Sequence, residues 1–294
     1  MDLPFADAAE LARCLEALCG APAESRGRIL GRLRSALRTG TIRDLEPHDG
    51  VYAALFALLE RAWASFEPEH AVQVHELVSG LLALPEFDDA ARTAAPPASM
   101  LDAAFERLAL PAAADGAPGP APQAVSCGVA GRADMPAGVG TACAPGAAQT
   151  VELGALRSLI YCLYKNLPSA RGALRLRLGA ATMRMGGGNA LPPPGLRTAL
   201  ELLGAIISGF RAPTAAHAGL LRDVLMPLHR NAGRVDETTP HLALYHAPLV
   251  HCLMLLLRSQ PALIMVALSA LFNGWPAVRE GLSSKEILLL HELD

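Results

Sequence analysis

The side chains of this 294-residue chain that could do chemistry include nine histidines, six cysteines and twenty-eight carboxylates, and their spacing gathers none of them into a site. His241, His246 and His251 recur every five residues, which spreads them around a helix rather than along one side, so they lack the convergence a zinc site requires. Cys162 beside Tyr161 and Cys252 beside His251 suggest activated thiols. Neighbouring helical residues point about 100° apart, and buried, inert thiols are the expectation. No carboxylate pair sits at helical spacing in an apolar stretch, and G-x-S-x-G, H-x-x-x-H and H-E-x-x-H do not occur. Gly138-Val139-Gly140-Thr141 follows no strand and precedes no charged phosphate ligand, so a nucleotide loop is excluded. No catalytic residue, metal or cofactor is expected. The enzyme that this leaves open uses an unrecognised helical site in which Cys162 or the histidine group converges on a solvent-filled pocket.

The elements that must carry these residues are helices. Ala, Leu and Arg dominate while β-branched and aromatic residues are sparse, a balance that follows helix propensity and leaves little to fill strands. The pattern predicts helices over 8–18, 25–37, 51–66, 69–84 and 99–108, the last opened by a Ser99 cap. Further helices follow over 151–166, 169–185, 196–210, 217–228, 247–257 and 262–273. A last one spans 283–292 behind the capping box Ser283-Ser284-Lys285-Glu286. Short links carrying Pro, Gly or Ser, such as Arg258-Ser259-Gln260-Pro261, fold consecutive helices back antiparallel. A lone pair cannot bury its apolar surface, so pairs must stack, and the expected fold is all-α: a right-handed α-solenoid of antiparallel helix pairs, an architecture suited to holding other proteins. Three segments are expected: N-terminal helices over 1–110, a disordered insertion over 111–150 and a second helical block over 151–294. The insertion has 26 Ala, Gly or Pro among its 40 residues and little that could offset the entropy of ordering.

The net charge of −3 is unevenly placed. Residues 151–235 hold eleven Lys or Arg against three acids, a balance of +8, and the remainder carries −11. A basic middle suits acidic peptides and predicts attraction that weakens with salt. With few interleaved aromatics and no recognition motif, nucleic acid is not an expected partner. The six cysteines form no C-x-x-C, and Met1-Asp2-Leu3-Pro4 opens acidic rather than basic, so reduced thiols and an intracellular, cytoplasmic and nuclear location are expected. Apolar stretches are interrupted within about a dozen residues, short of the roughly 20 a membrane-spanning helix needs.

Several strings then carry a resemblance. Leu200-Glu201-Leu202-Leu203-Gly204-Ala205-Ile206-Ile207-Ser208-Gly209-Phe210 comes first, then Val224-Leu225-Met226-Pro227-Leu228-His229 and Tyr245-His246-Ala247-Pro248-Leu249. Gly274-Trp275-Pro276 and the run from Ser283 to Leu293 complete the order. In order and spacing they resemble the B-prime (B56-type) regulatory subunits of protein phosphatase 2A, solenoids of HEAT-like repeats. The likeness covers Leu156 to Asp294, and 72–87 and 100–108 resemble the preceding repeats. The resemblance implies a regulatory subunit that binds the phosphatase scaffold and catalytic subunits and recruits substrates carrying a Leu-x-x-Ile-x-Glu motif. It assigns the polar wall of the peptide groove to Tyr164, Arg171 and Arg175, the apolar floor to Leu202 and Ile206, and a nearby basic patch to His217. Tyr161 and Cys162 stand where the family places His and Arg to grip the motif glutamate, which removes a cation from that grip. The chain is also expected to be short at its C-terminus relative to the family. The alternative is a HEAT-type adaptor that no longer assembles with the phosphatase.

Overall fold

The computed structural model describes residues 5, 7–40, 42, 49–84, 87, 94–110, 147–187, 191–210, 215–276 and 283–293. The described chain is an all-α solenoid, and its sole β feature among these residues is an isolated antiparallel bridge between Arg234 and Pro240. The first four helices are α1 (Ala8–Gly20), α2 (Ala23–Thr39), α3 (Asp49–Ser65) and α4 (Pro68–Leu82). Next come α5 (Ala98–Leu108), α6 (Ala147–Asn166), α7 (Arg171–Gly186) and α8 (Gly195–Ser208). A broken helix follows: α9 (Ala215–Leu220), a π turn (Leu221–Leu225) and α10 (Met226–Leu228). The last three helices are α11 (Leu242–Ser259), α12 (Ile264–Asn273) and α13 (Ser283–Leu293).

The local chemistry of the ends explains where helices start and stop. Asp7 caps α1, its carboxylate accepting from the Glu10 N–H at 2.7 Å. Gly40 ends α2 with φ 77°, a left-handed conformation that a residue without Cβ adopts freely. Pro68 opens α4, where its missing N–H costs nothing. The expected Ser99 cap is not realised, because α5 begins at Ala98 behind Pro97 and Ser99 lies inside the helix.

Helices meet their second neighbour along the chain. One row runs α1 on α3, α3 on α5 and α5 on α7; the other runs α2 on α4, α4 on α6, α6 on α8 and α8 on α11, with α13 laid on α11. Each helix thus covers an apolar stripe that its hairpin partner cannot reach, and one continuous core extends from Leu11 to Leu289. Burying one such leucine stabilises the stack by about 2 kcal/mol. The rows come close at glycines: a Cβ on Gly195 would run into the Leu108 carbonyl, so α8 starts directly against the end of α5.

Two departures from the sequence reading concern α11. The helix expected from 247 starts at Leu242 and carries Pro248 inside it, held by the Tyr245 hydroxyl donating to the Leu228 carbonyl at 3.0 Å and by the burial of Leu242, Leu249 and Leu253. At 18 residues α11 is long and apolar enough to cross a membrane, contrary to the expectation that no stretch would be; in this fold it packs on α8 in the stack. The insertion expected over 111–150 lies outside the described residues as far as 146, and 147–150 form the first turn of α6.

Candidate functional site

Pro227 shapes the neighbourhood of the candidate site. In a regular helix its ring would clash with the carbonyl four residues back and its missing N–H would leave that carbonyl unpaired. The chain widens instead into the π turn, where the Met226 N–H reaches the Leu221 carbonyl, five residues away. This turn brings Asp223 and Val224 opposite α7. Gly179 permits the approach, since an added Cβ there would stand 3.3 Å from a Val224 methyl. Between α7, the end of α8 and α9 lies an open, largely apolar cavity of about 470 Å³. Arg175, Leu176 and Met183 line one side, Leu203 and Phe210 another, and His217, Leu220 and Val224 the third.

His217 is fixed within this wall. Its ring stacks on Phe210 with centroids 4.0 Å apart, and its Nδ1 meets the amide nitrogen of Gln260 at the end of α11. With the amide so placed the Gln260 N–H donates and Nδ1 accepts, which leaves the imidazole proton on Nε2. Burial, and next the charge of Arg175, lower the His217 pKa from its ordinary value, so this ring favours its neutral form.

The residues singled out from the sequence fall into three groups. Arg175 and His217 meet at the cavity. Tyr164 and Arg171 lie at the junction of α6 and α7, where the Arg171 guanidinium donates to the Tyr164 and Lys165 carbonyls, both at 2.9 Å, and stands 5.7 Å over the Tyr164 ring. Arg171 therefore closes the C-terminus of α6, satisfying carbonyls the helix leaves open. It precedes Arg175 by one turn on the same face of α7, so the two groups are continuous. Leu202 and Ile206 form the third group, and here the expectation needs correction. At 0% and 1% exposure they are core residues outside the cavity lining, and Leu203, equally buried at the next position around α8, is the one of the three that lines it.

Tyr161 is 40% exposed on α6. Cys162 turns inward, its thiol donating to the Ser79 carbonyl at 3.5 Å and accepting from the Asn166 amide at 3.1 Å, while burial pushes its pKa up. The Cys252 thiol is buried against the Leu200 carbonyl and pushed up to about 12 by burial. Neither is poised as a nucleophile. His241 is buried ahead of α11, His246 is half-buried against α13 and His251 is exposed, so the three do not share a pocket. Phe210, Gln260 and Asp223 were not singled out as site residues. Only the apolar end of α8 hinted at Phe210, and nothing local marks Gln260, which follows a helix end and acts on a residue 43 positions away.

Residues 150–294 match the family described as protein phosphatase 2A regulatory B subunit (B56 family). A Schizosaccharomyces pombe protein, the 56 kDa regulatory subunit delta 2 isoform of serine/threonine-protein phosphatase 2A, is 34% identical over 101 residues, 34% of this chain and 14% of the relative. The human alpha isoform of the 56 kDa regulatory subunit is 35% identical over 101 residues, covering 18% of its own length. The Saccharomyces cerevisiae delta isoform is 34% identical over a stretch that covers 12% of its length. The matched stretch thus spans less than a fifth of each of these relatives. Over residues 150–294, where the cavity and its polar residues Arg175, His217 and Asp223 lie, the chain is similar to the B56 family of protein phosphatase 2A regulatory subunits.

Proposed function

We propose that this chain is a non-catalytic, substrate-recruiting subunit of serine/threonine protein phosphatase 2A, working in the cytoplasm and nucleus. It joins the scaffold and catalytic subunits and takes short acidic linear motifs of the Leu-x-x-Ile-x-Glu kind. Recruitment raises the concentration of substrate near the catalytic subunit without any chemistry on this chain. The observation that carries the reading is the meeting of Arg175 and His217 on an apolar cavity, with Arg171 one turn away. An extended peptide suits such a surface: aliphatic side chains enter the cavity while a carboxylate meets Arg175. Tyr164 and Arg171 form the adjoining wall, and Leu202 and Ile206 support it from beneath. The match of residues 150–294 to the B56 family and the regulatory-subunit names of the relatives support the same reading.

Titration calorimetry with a Leu-x-x-Ile-x-Glu peptide tests it. Arg175→Ala is expected to weaken binding by about tenfold or more, the loss of one charge-assisted hydrogen bond, with melting unchanged. Unaltered affinity would remove Arg175 from the site. The second reading, an adaptor no longer tied to the phosphatase, draws on the exposed Tyr161 and inward Cys162, which supply no cation where the resemblance expects one. Retention of the scaffold subunit in a pull-down decides for the phosphatase.

A further inference from the structure

Helix α13 buries Leu289 in the core but also encloses charged side chains while leaving apolar ones outside. Ile287 and Leu290 are 55% and 54% exposed, whereas Lys285 is buried and the Glu292 side chain is fully enclosed. Lys285 Nζ donates to the Asn231 carbonyl at 3.0 Å. One Glu292 oxygen lies 2.9 Å from His229 Nε2, at the end of α10, and the other lies 2.9 Å from His246 Nε2, on α11. These contacts sit off the line of a well-aligned hydrogen bond. The carboxylate is therefore held chiefly by charge, which a buried anion requires.

The tautomer of His229 shows which charge. Its Nδ1 stands 3.0 Å from the Leu225 carbonyl, which can only accept, so Nδ1 carries a proton. If the ring were neutral, Nε2 would turn a lone pair on the carboxylate. Attraction requires a second proton at Nε2, making His229 an imidazolium. His246 turns its Nε2 toward the other oxygen.

We propose that His229, Glu292 and His246 form a proton-dependent latch that fastens α13 to α10 and α11. The groups whose charges bear on Glu292 are His229 from the end of α10 and His246 from α11; on α13 itself Lys285 is turned to the Asn231 carbonyl. Any change in the charge balance of this enclosed cluster leaves a buried charge without its counterpart and loosens the helix. Burial raises the Glu292 pKa, but the two imidazoles outweigh that effect and hold it below its ordinary value.

Hydrogen-exchange protection factors on the whole chain, followed from about pH 5 to about pH 9, test the latch against α8 as an internal reference. Protection of α13 is expected to peak between those limits and to fall by about tenfold toward at least one of them, while that of α8 stays level. Glu292→Gln is expected to lower α13 protection by about tenfold near neutral pH and to flatten its profile. A wild-type α13 profile parallel to that of α8, or unchanged α13 protection in E292Q, would overturn the proposal. The wild-type profile decides alone if the variant does not fold.

Discussion

At the scale of single residues, polar side chains inside the stack set the pH behaviour of the protein. The Trp63 indole N–H donates to His75 Nε2 at 2.8 Å, so the imidazole is neutral in the fold. Burial, then the charge of Arg107, lower the His75 pKa to about 4. An unfolded histidine takes its proton near pH 6.5, so in that window the unfolded chain binds more protons than the folded one. Stability is therefore complete above pH 6.5 and declines as pH falls toward 4, by on the order of 3 kcal/mol from this group. Thermal melts of the wild type against His75→Phe, which has no such proton to take, are expected to converge as pH drops across that window. A parallel pH dependence in both proteins would contradict the assignment. Arg171 and Arg175 also separate at this scale. Because Arg171 closes α6, Arg171→Ala is expected to cost about 1 kcal/mol of stability besides any loss of binding, whereas Arg175→Ala leaves melting in place.

At the scale of elements, close approach decides what can be changed. Gly195→Ala would push a Cβ into the Leu108 carbonyl, and backbone cannot yield as a flexible side chain can. A destabilisation of about 2 kcal/mol or more, read as a lowered denaturant midpoint, is expected. Gly154→Ala, on open helix surface, is expected to be neutral or stabilising. Most helices were legible from the sequence because Leu and Ala recur at helical spacing and Pro, Gly or Asp punctuates the ends. The exceptions are positions where a distant contact overrides a local signal. Pro248 reads as a start and is carried through α11 by tertiary packing around Tyr245, and the π turn answers to Pro227 in a way that no apolar period records. For the candidate site, the resemblance pointed to both Arg175 and His217, and the four-residue spacing of Arg171 and Arg175 agreed with it. Leu202 and Ile206 were ambiguous because floor and core residues have the same composition, and only three-dimensional packing separates Leu202 from Leu203.

At the scale of the whole molecule, part of the basic middle is engaged within the stack. Arg157 and Arg197 both meet Glu201, Arg177 meets Asp102 at 2.6 Å and Arg107 meets Glu152 at 2.6 Å. Arg157–Glu201, Arg177–Asp102 and Arg107–Glu152 cross between helices and Arg197–Glu201 spans one turn of α8, so Arg157, Arg177 and Arg197 of the basic middle are held against carboxylates of the stack. Affinity for an acidic motif peptide is accordingly expected to fall by only about tenfold between low and moderately high salt. A drop of several orders of magnitude in calorimetry would show that the cations act together on the ligand.

The widened turn ahead of Pro227 holds one residue more than a regular α-helix needs over the same rise. Removing a residue from Leu221–Leu225 while replacing Pro227 by Ala would let the segment heal into an unbroken helix. A shortening that ordinarily ruins a helix would then be absorbed, while Asp223 and Val224 lose their placement opposite α7. Such a variant would separate the structural work of this segment from whatever docks beside it.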